Sequence, residues 1–223
     1  MSIKASQMNQ QDIIEETVQF VKGRLKNAES GHDWFHIERV WKNSKNIAET
    51  EKCNSFIVEM AALLHDIADS KFHNGNEEIG PETAMNYLKS ILTDEDSKHH
   101  IVNIIRNISF KGGHRHSDFN SIELQIVQDA DRLDAIGAIG IARAFNYGGF
   151  KNRVLYDPDI KPDLNMSKEA YKNSSAPTIN HFYEKLLLLK NLMNTETGKN
   201  LAAERHLFME QFLEQFYKEW NGQ

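Results

Sequence analysis

The sequence predicts an all-α, single-domain helical bundle, and three observations predict it. Apolar residues recur three and four positions apart through most of the chain, as at Ile13, Ile14, Val18, Val21 and Leu25, the spacing that lines one face of an α-helix. No convincing alternation of apolar and polar residues, the mark of a half-buried strand, appears, although residues 151–156 leave room for a short hairpin. Helix breakers are scarce. The 223 residues hold 4 Pro and 12 Gly with no repeat or linker tract, and 40% are hydrophobic, enough for one core, so residues 1–223 read as one domain.

The first helix covers about residues 13–25. A second starts near Ser30, an N-capping residue type, and carries Trp34, Ile37, Val40, Trp41, Ile47 and Ala48. A third runs from about 55 to 66, with Phe56, Met60, Leu63 and Leu64 on its apolar side. Residues 69–80 are polar, hold Gly75 and Gly80, and read as a loop. Pro81 fits the first turn of a fourth helix ending near Leu92, and Thr93 can cap a fifth that continues to Ile108. Residues 109–118, with Gly112 and Gly113, form a second loop.

A long helical stretch follows from 121 to about 145, interrupted or bent near Gly137 and Gly140. Residues 146–177 include Pro158, Pro162 and Pro177 and form one long irregular segment, a length that is uncommon in compact domains and often functional. Two helices, about 178–193 and 195–220, close the chain. In the last, Phe208, Phe212, Phe216 and Trp220 recur every four residues. That stripe is expected to pack, and an aromatic face of this kind also suits a homodimer.

Charge and cysteine usage exclude several classes. A net charge of −6 and a pI near 5.9 argue against a duplex nucleic acid partner, which would need a broad basic face. They leave room for a small anionic substrate in a locally basic cleft. Cys53 is the single cysteine, so no internal disulfide forms and a cytoplasmic location is expected. The polar N-terminus lacks the apolar run of a secretory signal, and no segment is expected to span a membrane.

Four residues carry the chemistry. His36, the adjacent His65 and Asp66, and Asp131 are imidazole and carboxylate donors of the kind that hold divalent first-row metals. Each falls on a predicted helix, and side chains converging from several helices are a common way to build a metal site. His65 and Asp66 end the apolar run Met60-Ala61-Ala62-Leu63-Leu64, where such polar groups are costly unless paired or metal-bound. Asp131 likewise lies between Ile126-Val127 and Ala135-Ile136.

The ordered set His36-Ile37-Glu38-Arg39-Val40, His65-Asp66 and Ala130-Asp131-Arg132-Leu133 resembles the HD superfamily of metal-dependent phosphohydrolases over roughly residues 30–145. The local wording around Gly31-His32-Asp33-Trp34-Phe35-His36, Ile108-Ser109-Phe110-Lys111-Gly112 and Thr178-Ile179-Asn180-His181-Phe182 is similar to a narrower branch, the bacterial HD nucleoside-triphosphate pyrophosphohydrolases. The resemblance implies an all-α fold and cleavage of a nucleoside triphosphate, ribo or deoxy, to the monophosphate and pyrophosphate. One departure bears on substrate. The alarmone hydrolases of the superfamily carry Glu-Asp shortly after the His-Asp pair, where this chain has Asp69 and Ser70.

The expected site is therefore a divalent ion, Mn for preference with Mg, Fe, Co and Ni also compatible, held by His36, His65, Asp66 and Asp131. Asp66 and Asp69 are the catalytic candidates. Asp69 lies three residues beyond Asp66, where it can orient or deprotonate the attacking water. Lys111 and Arg132 are candidate phosphate binders, and His32 and Asp33 candidate substrate groups beside the site. His32, Asp33 and His36 also read as His-Asp-x-x-His, near the zinc-protease pattern, but Asp is shorter than the Glu that chemistry needs. Two further readings stand beside the favoured one: a nucleotide monophosphatase or phosphodiesterase using the same metal site, and a non-catalytic metal-bound regulatory or interaction domain.

Overall fold

Most helices begin where an oxygen-bearing side chain takes up a free amide of the first turn. The computed structural model describes residues 8–26, 28, 31–68, 76–108, 119–166 and 174–223. Asn9 opens α1 (Gln10–Arg24) with a capping box, accepting from the Asp12 amide at 3.0 Å while the Asp12 carboxylate accepts from the Asn9 amide at 3.3 Å. Asp33 caps α2 (Trp34–Ala48), Asn54 caps α3 (Ser55–Leu64), and Asp94 caps α5 (Glu95–Asn107). Between them lies α4 (Ile79–Ile91), which has no side-chain cap but carries Pro81 in its first turn, as expected.

Two caps differ from the sequence reading. Asp33 and Asp94 take the places assigned to Ser30 and Thr93, and Ser30 lies outside the described residues. Asp caps a helix about as well as Ser or Thr, so residue type alone does not choose between neighbouring candidates. The predicted loop over 69–80 is shorter at its far end, because α4 begins at Ile79. Of that loop, residues 69–75 lie outside the described residues, as do 109–118.

The predicted stretch 121–145 is two helices, α6 (Ile122–Asp134) and α7 (Gly137–Phe150). Gly137 has φ +74°, a left-handed conformation that costs a Cβ-bearing residue energy, and this ends the continuity. The described residues contain no strand, so the hairpin expected at 151–156 does not form. Its carbonyls bond elsewhere: the amides of Thr178 and Ile179 donate to the Val154 and Leu155 oxygens, each at 3.0 Å. The predicted helix 178–193 is also divided. α8 (Thr178–Glu184) stops at Lys185 (φ −145°, ψ −57°), and a 3-10 segment (Leu186–Leu192) follows. Its buried residues, Leu186 and Leu189, are three apart, the period of a 3-10 helix. Thr195 caps the last helix, α9 (Glu196–Trp220).

The chain forms two compact units, residues 1–130 and 131–223, which divide inside the last turn of the continuous helix α6. In the first unit α3 is central, packing on α1, α2 and α5. Its residues Ile57, Val58, Met60, Ala61, Ala62, Leu63 and Leu64 are all buried, so it is apolar nearly all round, as a core helix must be. Phe20 of α1 stacks on Tyr87 of α4 with centroids 3.8 Å apart, and the Tyr87 hydroxyl hydrogen-bonds Thr17 at 3.1 Å. In the second unit, Phe212 of α9 packs against Phe145 and Phe182, and Phe216 and Trp220 pack against Tyr156. The i, i+4 aromatic row is thus a packing stripe, with Phe208 left half exposed. Among the described residues no helix is long and apolar enough to cross a membrane.

Candidate metal centre

The site is built on the ends of buried helices. α3 runs through the core and delivers His65 at its C-cap position. α2 delivers His36 from its first turn, where the Asp33 carboxylate accepts the His36 amide at 3.0 Å and so anchors the backbone of that residue. α6 delivers Asp131, one residue after the buried Ala130. Two hydrogen bonds fasten the earlier turns of α6 within the first unit. Glu123 Oε1 accepts the Asn54 amide at 3.0 Å, and Gln128 Nε2 donates to the Asn107 carbonyl at 3.0 Å.

His36, His65 and Asp131 each offer one ligand atom, and these atoms lie within 4.8 Å of one another. His36 is only 3% exposed, and its ring stands 5.3 Å from the His65 ring at an interplanar angle of 69°. His65 Nδ1 lies 2.8 Å from the Ala62 carbonyl oxygen. A carbonyl only accepts, so Nδ1 carries the hydrogen and Nε2 is the nitrogen left to offer a metal a lone pair. A backbone carbonyl that fixes the tautomer in this way is the usual outer support of a metal-ligating histidine. Two imidazoles and a carboxylate in this arrangement fit a divalent first-row cation.

Asp66 stands next to His65, and its Oδ2 is 2.5 Å from His32 Nδ1. Burial works to raise the Asp66 carboxyl, but the His32 hydrogen bond and the fields of His65, His32 and His36 outweigh it. The result lies well below the ordinary carboxylate range, so Asp66 is an anion throughout the neutral range. His32 is the group that engages Asp66, and the group of three converging ligands contains His36 without His32. The protease-like pair His32 and His36 therefore serves two different partners.

The other candidates separate. Asp33 is the α2 cap. Arg132 Nη1 donates to the Leu192 carbonyl at 2.5 Å. Asp69 and Lys111 lie outside the described residues, as does the His114-Arg115-His116 cluster. His100 has local partners, with Nε2 3.0 Å from Ser121 Oγ and 3.4 Å from a Glu123 oxygen. Sequence reasoning missed the groups around the end of α6. Asp134 is 1% exposed and pairs with Arg143, and Arg205 Nη1 donates to the Leu133 carbonyl at 2.5 Å. The available signal was Arg143 within the apolar run Ile141-Ala142-Arg143-Ala144, where a lone charge needs a partner.

Residues 34–136, which span all four expected ligands, match the HD domain family. The Bacillus subtilis protein YpgQ is 40% identical over 91% of each chain. An HD-superfamily hydrolase from Bacillus thuringiensis superposes with a TM-score of 0.78 at 48% identity, over 96% of this chain and 100% of that one. The chain belongs to the HD superfamily of phosphohydrolases. A solved structure of YpgQ in complex with ADP superposes with a TM-score of 0.75 at 35% identity, over 95% of this chain and 97% of that one.

Proposed function

We propose that residues 1–223 act as one HD-type hydrolase domain that cleaves ribo- or deoxynucleoside triphosphates to the monophosphate and pyrophosphate, with a divalent ion, Mn for preference. The observation that carries the metal-dependent part is the convergence of His36, His65 and Asp131. Asp66 is proposed as the fourth ligand, an anion already beside His65 and oriented by His32. When bound, such an ion supplies Lewis acidity at phosphorus and a nucleophile at neutral pH. The nucleotide part is supported by the ADP held by the similar protein YpgQ and by the wording of the His36, Lys111 and His181 segments.

The chain's own groups have separate tasks. Asp33 holds the first turn of α2 and with it the His36 ring. The Ala62 carbonyl sets the His65 tautomer, and His32 sets the Asp66 carboxylate. Asp69 is proposed to orient or deprotonate the attacking water, and Lys111 to bind a phosphate.

The test incubates metal-stripped and Mn-reconstituted protein, beside Asp66→Ala, with a panel of ribo- and deoxynucleoside triphosphates. Mn-dependent pyrophosphate and monophosphate, lost in the variant, is the expected result. Orthophosphate and diphosphate would place the cleavage at the terminal phosphate and overturn the pyrophosphohydrolase reading. No turnover of any triphosphate would overturn the triphosphate assignment and direct the assay to monophosphates and cyclic nucleotides.

A further inference from the structure

We propose that Arg143 and Arg205 are positioning residues for the metal centre: together they lock the last turn of α6 and so aim the Asp131 carboxylate. The inference rests on the reading of Asp131 as a metal ligand. The last carbonyls of a helix have no partners within it, and the dipole gathers partial negative charge there. α6 ends with that problem sharpened, because Asp134 adds a full negative charge at the same end and is 1% exposed. A buried carboxylate at a helix C-terminus persists only with strong compensation.

The compensation comes from two other helices of the same unit. Arg143 of α7 pairs with the Asp134 carboxylate and its Nη1 also reaches the Asp134 carbonyl at 3.3 Å. Arg205 of α9 donates to the Leu133 carbonyl at 2.5 Å. Its side chain also lies over Gly137, where an added Cβ would meet the Arg205 Cβ and Cγ at 3.0 Å. Arg132 completes the set from α6 itself, donating to the Leu192 carbonyl of the 3-10 segment at 2.5 Å. One helical turn therefore has its carboxylate and two of its carbonyls held by guanidinium groups.

The consequence for Asp131 follows from spacing. Asp131 and Asp134 are three apart on α6 and so lie on one side of the helix. Two unbalanced carboxylates there would repel and turn Asp131 away from the position its helix gives it. With Arg143 on Asp134, the second charge is balanced, the turn cannot rotate freely, and Asp131 presents its carboxylate in a fixed direction. Outer groups of this kind typically change metal affinity by about ten- to a hundredfold.

The test is a calorimetric Mn titration of the metal-stripped full chain and its variants, with thermal unfolding of each metal-free form. The expected result is that Arg143→Gln binds Mn about ten- to a hundredfold more weakly. Arg143→Lys should recover part of that loss, because it restores charge without the planar fork. Arg205→Gln, which leaves the Arg143–Asp134 pair in place, should weaken binding by a smaller factor. Leu213→Ala, a cavity in α9 away from the α6 end, controls for plain destabilisation and should keep the wild-type affinity. If Arg143→Gln does not fold, Arg143→Lys and Arg205→Gln decide. Wild-type Mn affinity in Arg143→Gln, or in both of the milder variants, overturns the inference, and so does an equal loss in Leu213→Ala. Failure of the wild type to bind, or full binding by Asp131→Ala, would instead overturn the metal reading on which it rests.

Discussion

His32 and Asp66 are joined across the interval between two helices, Nδ1 to Oδ2, at 2.5 Å. His32 precedes α2 and Asp66 follows α3, so this contact links the approach to one proposed ligand, His36, with the residue beside another, His65. It also gives His32 a definite task that composition alone does not reveal.

That task predicts the behaviour of His32→Ala. If His32 orients Asp66 as an outer support of a ligand, its loss should weaken Mn binding by about ten- to a hundredfold while leaving the fold intact. His32→Gln, which retains a hydrogen-bond donor, should lose less. Calorimetric Mn titration of the two variants is the check. Unchanged affinity in His32→Ala would mean that Asp66 is not a ligand or needs no support.

Asp33 offers a sharper distinction, because two roles have been assigned to it. As the α2 cap it accepts from the His36 amide, a task that asparagine performs equally well. Asp33→Asn should therefore keep the melting temperature, while Asp33→Ala should cost about 0.5–2 kcal/mol. If Asp33 instead contacts substrate through its charge, Asp33→Asn would raise KM with stability unchanged. Thermal unfolding and steady-state kinetics on the same two variants separate the roles.

Gly137 supports a third prediction. Its φ of +74° disfavours any side chain, and a Cβ there would press on Arg205 at 3.0 Å. Gly137→Ala should lose about 1 kcal/mol or more from the backbone alone. The crowding acts on the same arginine that caps Leu133, so Mn affinity should fall with stability. Urea unfolding and metal titration report the two effects. A variant as stable as wild type would overturn both the backbone cost and the crowding against Arg205.

The all-α class was legible because the helical period of the apolar residues is a local property, written into neighbours three and four apart. His36, His65 and Asp131 were legible for a different reason: their order matched a family pattern, and the fold brings these three together. What escaped depended on distant partners. Ser30 and Thr93 were reasonable caps by residue type, but the backbone chose Asp33 and Asp94, one to three residues further on. The division at Lys185 reflects burial of Leu186 and Leu189 at a three-residue interval, which the α-helical pattern of the same leucines conceals. Arg143 and Arg205 acquire meaning only when α7 and α9 meet the end of α6, and no spacing in the chain records that meeting.

His181 makes the stability of the fold depend on pH. Burial disfavours the charged imidazole, and the nearby Lys185 and Arg153 add to the effect, lowering its pKa from the ordinary 6.5 to about 3. Above pH 6.5 the ring is neutral in both the folded and unfolded chain and contributes no pH dependence. Between 6.5 and about 3 the unfolded chain binds a proton that the folded chain refuses, so this group removes stability as the pH falls. Below about 3 both forms are protonated and the loss levels off. His181→Gln removes the titrating group. Its melting temperature should fall less than that of wild type as the pH is lowered from 7 to 4, with the two curves separating below about 6.5. Parallel curves over that range would mean that the folded protein lets His181 take up its proton as readily as the unfolded chain does.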